Sequence, residues 1–175
     1  GMMELKVSHL TRNAFMLAFV ICSGLAQTTR TVVSTLIGEG RHDELWRAIA
    51  KLAALSYAGV WLLTHGYIAY PNWLAGHFFD DPVGRNAMAA TLGTAFGALQ
   101  FYALSAILIA VLQGAGYTKP VFLIELISVG IYVVLAYGLT LVWPQPIEVI
   151  WRADWVYFLG MIVGAVLAMR ILPWR

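Results

Sequence analysis

An all-α integral membrane fold, a bundle of about five transmembrane helices, is predicted by the composition of this chain and by where its breaks fall. Of its 175 residues, 61% are hydrophobic, 13% aromatic and 11% charged, whereas a soluble domain is about 45–50% apolar and about 25% charged. A mean hydropathy of +0.76 leaves too few polar side chains to wet the outside of a core, so the outside must be lipid. The apolar residues also come in runs near the ~20 that a spanning helix needs, divided by short charged or proline-containing breaks. Disordered and fibrous classes need polar or repeat-biased sequence and are excluded.

The first span occupies about residues 13–37. It stops at Gly38-Glu39-Gly40-Arg41, where glycine can take the left-handed turn that ends a helix. The second occupies about residues 48–70 and ends before Pro71. Residues 72–79, with Trp73, His77, Phe78 and Phe79, are too few to span and suit an interfacial helix or turn. Asp80-Asp81-Pro82 reads as a helix cap followed by proline in the first turn. It opens a third span over about residues 86–113, closed by Gly114-Ala115-Gly116. The fourth runs over about residues 119–142 from Thr118-Lys119-Pro120 to Trp143-Pro144-Gln145-Pro146, and the fifth over about residues 147–172 up to Pro173.

Short-loop cations orient such a bundle. Arg41, Arg47, Lys51, Lys119, Arg170 and Arg175 fall on one side, and Lys6, Arg12, Arg85 and Arg152 on the other. This puts loop 38–47 and the C-terminus in the cytoplasm, and the N-terminus outside. Trp73, Trp143, Trp151 and Trp155 then mark the outer boundary, Trp46 and Trp174 the inner one, and Trp61 fits neither. Translocating an N-terminus with neither signal peptide nor preceding helix is awkward, which suggests an additional span upstream.

Small residues at four-residue spacing allow close helix packing. Ala89, Gly93 and Gly97 form one such set, and Gly160, Gly164 and Ala168 another. Inside the spans each polar group is a candidate for function, because a charge at a helix centre costs about 2.5–3.5 kcal/mol to insert. Arg30, Glu125, Gln27, Gln100, His65 and the outer-end Asp154 are the candidates. Arg30 lies about 10 Å from the end of the first span and Glu125 about 8 Å into the fourth. Their similar depth predicts an ion pair that offsets part of each insertion cost; the alternative is Arg30 snorkelling to headgroups while Glu125 is protonated or faces a wet cavity. Asp154 reads as an interfacial helix-start carboxylate, and His65 as a satisfied interior histidine. Gln27, Thr28, Thr29, Thr31, Ser34 and Thr35 make the first span unusually polar, so it should face protein or water. Cys22 is apolar filler. No nucleophile elbow, zincin motif or cysteine-based metal spacing occurs, so no enzyme, cofactor or metal is expected. The scattered cations make no nucleic-acid footprint.

The string Gln27-Thr28-Thr29-Arg30-Thr31-Val32-Val33-Ser34-Thr35-Leu36-Ile37-Gly38-Glu39-Gly40-Arg41 resembles a helix end of the multidrug and toxic compound extrusion (MATE) transporters. It is followed in family order by Phe78-Phe79-Asp80-Asp81-Pro82, by Leu112-Gln113-Gly114-Ala115-Gly116-Tyr117-Thr118-Lys119-Pro120, by Glu125, and by a last helix bearing Trp151, Trp155 and Tyr157. The resemblance implies the eighth to twelfth helices of a twelve-helix, two-lobe fold: a partial C-terminal lobe, with a seventh helix ending around Lys6 to Arg12. It implies export of small organic cations and drugs in exchange for Na+ or H+, from the cell inner membrane. The partners it implies are the lipid bilayer and either an N-terminal lobe or a second copy. A lobe alone would be inactive; a half-transporter that dimerises, or a scaffold without transport, are the alternatives. This sequence departs from the family where the tenth helix of sodium-coupled members carries an acid, because no Asp or Glu lies between Arg85 and Gln113. Glu125 is the embedded acid that would replace it, with Arg30 where relatives carry a small polar residue.

Overall fold

The computed structural model describes residues 2–173, so the expectations for Trp174 and Arg175 fall outside the described residues. Its elements are α1 (Met2–Gly38), α2 (His42–Thr64), α3 (Gly66–Ala69), α4 (Pro71–Gly76), α5 (Pro82–Gly114), α6 (Thr118–Tyr137), a π-helical turn (Gly138–Val142), α7 (Ile147–Ile150) and α8 (Ala153–Ile171). Five segments are long and apolar enough to cross a membrane: Met2–Gly38, His42–Ala69, Pro82–Gly114, Thr118–Val142 and Ile147–Ile171.

Three of the expected spans differ from the helices observed, and the second of them begins at His42, not near residue 48, and is broken at His65 between α2 and α3. The first helix begins at Met2, not near residue 13. Glu4, Lys6 and Arg12 end an apolar run but do not interrupt helical backbone, and no glycine or proline lies between Met2 and Gly24. With 37 residues, α1 is about 55 Å long, well beyond the ~30 Å hydrocarbon core. The same continuity corrects the expectation of a helix ending around Lys6 to Arg12. The fifth span is divided at Trp151 and Arg152 into α7 and α8, because the chain there tightens into an Arg152-to-Val149 backbone hydrogen bond of 3.0 Å of the three-residue kind.

The stop and start signals act as the residue types demand. Gly40 has φ +71°, and the Gly40 and Arg41 amides return to the Ile37 and Leu36 carbonyls at 3.1 and 2.9 Å, which closes the end of α1 in a Schellman motif. Gly116, at φ +83°, does the same for α5 through Gln113 and Leu112. The Arg41 guanidinium bridges Glu44 and Glu39 at 2.7 Å each, which raises its already high pKa. Asp81 caps α5, accepting from the Gly84 amide at 2.6 Å with Pro82 in the first turn.

Helix α5 is the axis of the bundle, with α1, α2, α4 and α8 packed around it and α6 lying outside on α8. Glycine makes these approaches possible. A Cβ on Gly114 would stand 2.6 Å from the Arg30 carbonyl oxygen, and one on Gly97 would stand 2.6 Å from the Trp155 indole. Trp155 also donates to the Thr94 carbonyl at 2.8 Å, so it is an internal lock between α5 and α8 and not a residue of the outer belt. Gly160 and Gly164 seat Ser128 and Ile124 of α6, whereas nothing lies within 4 Å of a Cβ on Gly93. The small-residue stripe on α8 is therefore used inside the chain.

Candidate functional site

Near its Gly38 end, α1 buries one side and leaves the other bare. Thr29, Val33 and Leu36 pack inward against α5 and α2, while Gln27, Thr28, Arg30, Thr31, Ser34 and Thr35 stay exposed. These exposed residues fall within one arc of the helix at 100° per residue. Two of the threonines satisfy themselves: Thr28 donates to the Gly24 carbonyl at 3.1 Å and Thr31 to the Gln27 carbonyl at 3.2 Å. The amide of Gln27 and the guanidinium of Arg30 have no such local remedy. On a spanning helix they need water or protein, since hydrocarbon offers no hydrogen bonds.

Beside this arc, Arg30 of α1, Gln113 at the last turn of α5, and Thr118, Val121, Phe122 and Glu125 of α6 line a cavity of about 330 Å³. The first turns of α6 bring Glu125 back toward α1 because Gly116 reverses the chain directly after α5. Arg30 and Glu125 thus share a cavity, as their similar depth predicts, but they make no ion pair within 4.0 Å among the described residues. The predicted pair is corrected. Arg30 is exposed on the outside of α1 and Glu125 half-buried on α6, with the cavity between them. Opposite charges facing a polar cavity without touching leave room for an ion, a ligand or water.

The other candidates lie elsewhere. Gln27 belongs to the polar arc, outside the cavity lining. Gln100 is buried in α5, where its Nε2 donates to Thr64 Oγ1 at 3.3 Å and its Oε1 is unpartnered. It ties α5 to α2 and does not line the Arg30–Glu125 cavity. His65 closes the α2–α3 turn, its Nδ1 2.6 Å from the Leu62 carbonyl, and its ring stacks on Trp61 at 5.6 Å. Asp154 does stand in the first turn of α8, but it lines a second, larger cavity with Arg12. Gln113 and Thr118 are site residues that a reading of the sequence as helix punctuation overlooks. Their signal is polarity held within one turn of a helix end whose neighbours are apolar.

The model of the MatE family matches residues 1–138. No curated protein and no solved structure gives a significant match to the chain. A match over most of the chain, on a bundle of apolar helices that makes this a multi-pass membrane protein, identifies it as a transporter: the chain belongs to the MatE family of multidrug and toxic compound extrusion proteins.

Proposed function

We propose that this chain forms most of the C-terminal lobe of a cation-coupled antiporter that exports small organic cations and drugs, and that the bare polar arc of α1 is its wall of the transport pathway. The observation carrying this reading is the exposure of Gln27 and Arg30 on a helix whose opposite side is packed. Lipid cannot cover that arc, whereas an aqueous pathway between two lobes can. Glu125 serves as the embedded carboxylate that exchanges Na+ or H+. Arg30, across the cavity from it, is released from any direct pair and free to compete with the coupling ion for the carboxylate. The coupling ion is transported and is not a resident cofactor. The protein resides in the cell inner membrane with its C-terminus and loop 38–47 in the cytoplasm. The facing wall comes from an N-terminal lobe or a second copy, and the chain alone does not transport.

Cysteine accessibility tests the assignment of the arc. In a Cys22→Ala background, Gln27→Cys, Thr31→Cys and Ser34→Cys react with a charged, membrane-impermeant maleimide in reconstituted vesicles, whereas Leu123→Cys and Leu126→Cys, exposed on the apolar flank of α6, do not. Equal protection of both sets would show that α1 faces lipid and would remove the pathway.

A further inference from the structure

We propose that the outer cavity between α1, α6 and α8 is a binding site for a zwitterionic amphiphile, with the cationic group at Asp154 and the anionic group at Arg12. The cavity measures about 460 Å³, within the range that encloses a drug-sized molecule. Its lining is almost wholly apolar, and Asp154 and Arg12 are its one acid and one base. Neither makes an ion pair within 4.0 Å among the described residues; the neighbour of the Asp154 carboxylate is the neutral Tyr132 hydroxyl, so no cation of the chain occupies the place of a ligand's ammonium.

Most of the remaining lining is aromatic. Phe15 of α1 lies 6.3 Å from Trp151 and 6.2 Å from Phe158, centroid to centroid, and Phe158 lies 4.9 Å from Tyr157. Tyr132 of α6, 5.9 Å from Tyr157, stands beside Asp154. Aromatic faces attract an alkylammonium within about 6 Å, and the Asp154 carboxylate on the same cavity supplies the counter-charge. The same rings cover a flat or chain-like apolar body, and the open side is bordered by exposed Met16, Phe19 and Val133, so an amphiphile can enter from the bilayer. Arg12, exposed at the edge, can reach a carboxylate or phosphate on the same ligand. An aromatic compound bearing ammonium and carboxylate, and a zwitterionic phospholipid headgroup, share this chemistry. Arg12 and Arg30 are eighteen residues apart on one helix, about 27 Å, so this site is separate from the Glu125 cavity.

The test is equilibrium dialysis of the purified chain in lipid-free detergent against two probes in separate titrations, norfloxacin and a short-chain phosphatidylethanolamine. Saturable binding of at least one probe is expected, weakened at least about tenfold by Asp154→Asn and by Arg12→Gln and unchanged by Lys51→Gln, an exposed cation that lines neither cavity. Binding by norfloxacin marks a soluble amphiphile as the source, and binding by the phospholipid a lipid headgroup. Arg12→Gln lies on an exposed helix position and keeps the test intact should Asp154→Asn misfold. Ethidium, a cation without an acidic group, separates the two poles: its binding falls with Asp154→Asn and not with Arg12→Gln. Saturable binding of neither probe, binding indifferent to both outer variants, or binding lost equally in Lys51→Gln overturns the site. The first two results leave the reading of the α1 arc as a pathway wall standing, because that rests on cysteine accessibility.

Discussion

Gly114 and Gly93 lie on the same helix, yet a methyl group added to each meets opposite surroundings. At Gly114 it would come within 2.6 Å of the Arg30 carbonyl oxygen and 2.9 Å of the Val33 Cβ, so α1 must move away from α5 to admit it. At Gly93 it meets nothing within 4 Å. Gly114→Ala should therefore lower stability by about 1–3 kcal/mol, whereas Gly93→Ala should change it little or raise it slightly, since alanine is the better helix former. Reversible unfolding in mixed micelles, with both variants measured side by side, checks the contrast. The two residues also show where reading a sequence fails. Four-residue spacing points equally to Gly93, Gly97, Gly160 and Gly164, but only the neighbours decide which glycine is needed. Gly114, read as a helix stop, is also a point where α5 lies against the backbone of α1.

Caps are the features of these helices that the sequence states most plainly, because a cap is a local device. Asp81 before Pro82, and the glycines at 40 and 116, sit where their chemistry requires them. Asp81→Ala should cost about 1 kcal/mol through loss of the bond to the Gly84 amide, and Gly40→Ala about 1–2 kcal/mol through the positive φ; thermal unfolding in detergent reads both. What the sequence does not state is which helix is central. Helices α5 and α6 are equally apolar spans, but α5 is the buried axis and α6 lies at the edge. In water such a helix would have to be buried, but lipid tails are as apolar as leucine, so uniform apolarity no longer distinguishes inside from outside. The small residues of α5 are the remaining clue, and even they do not identify Trp155 as the lock over Gly97. The candidate site divides in the same way. The similar depth of Arg30 and Glu125 follows from counting residues, but the gap between them depends on how α6 rests on α8, and no spacing within one helix encodes that.

At the scale of the whole molecule, the bundle has two kinds of uncovered surface, and they call for different neighbours. The edge presented by α6, with Leu123, Leu126, Ile127 and Val134 exposed, can be satisfied by lipid. The arc of α1 with Gln27 and Arg30 is not, and it needs a facing wall to become a pathway. The most obvious interface for a second copy, the Gly160–Gly164 stripe, is already filled by Ser128 and Ile124 of α6, so dimerisation through it would require α6 to leave. Cells producing only this chain should therefore show no gradient-dependent ethidium efflux above the empty-vector control. Efflux should appear when an N-terminal lobe of the same family is co-produced, and Glu125→Gln should abolish it while leaving the amount of membrane-inserted protein unchanged. Efflux from the single chain, accompanied by cross-linked dimers through Thr31→Cys in a Cys22→Ala background, would instead make a second copy the facing wall. The polar arc would keep its role in that case, since it is the lining of the pathway and not the identity of the opposite wall that Gln27 and Arg30 require.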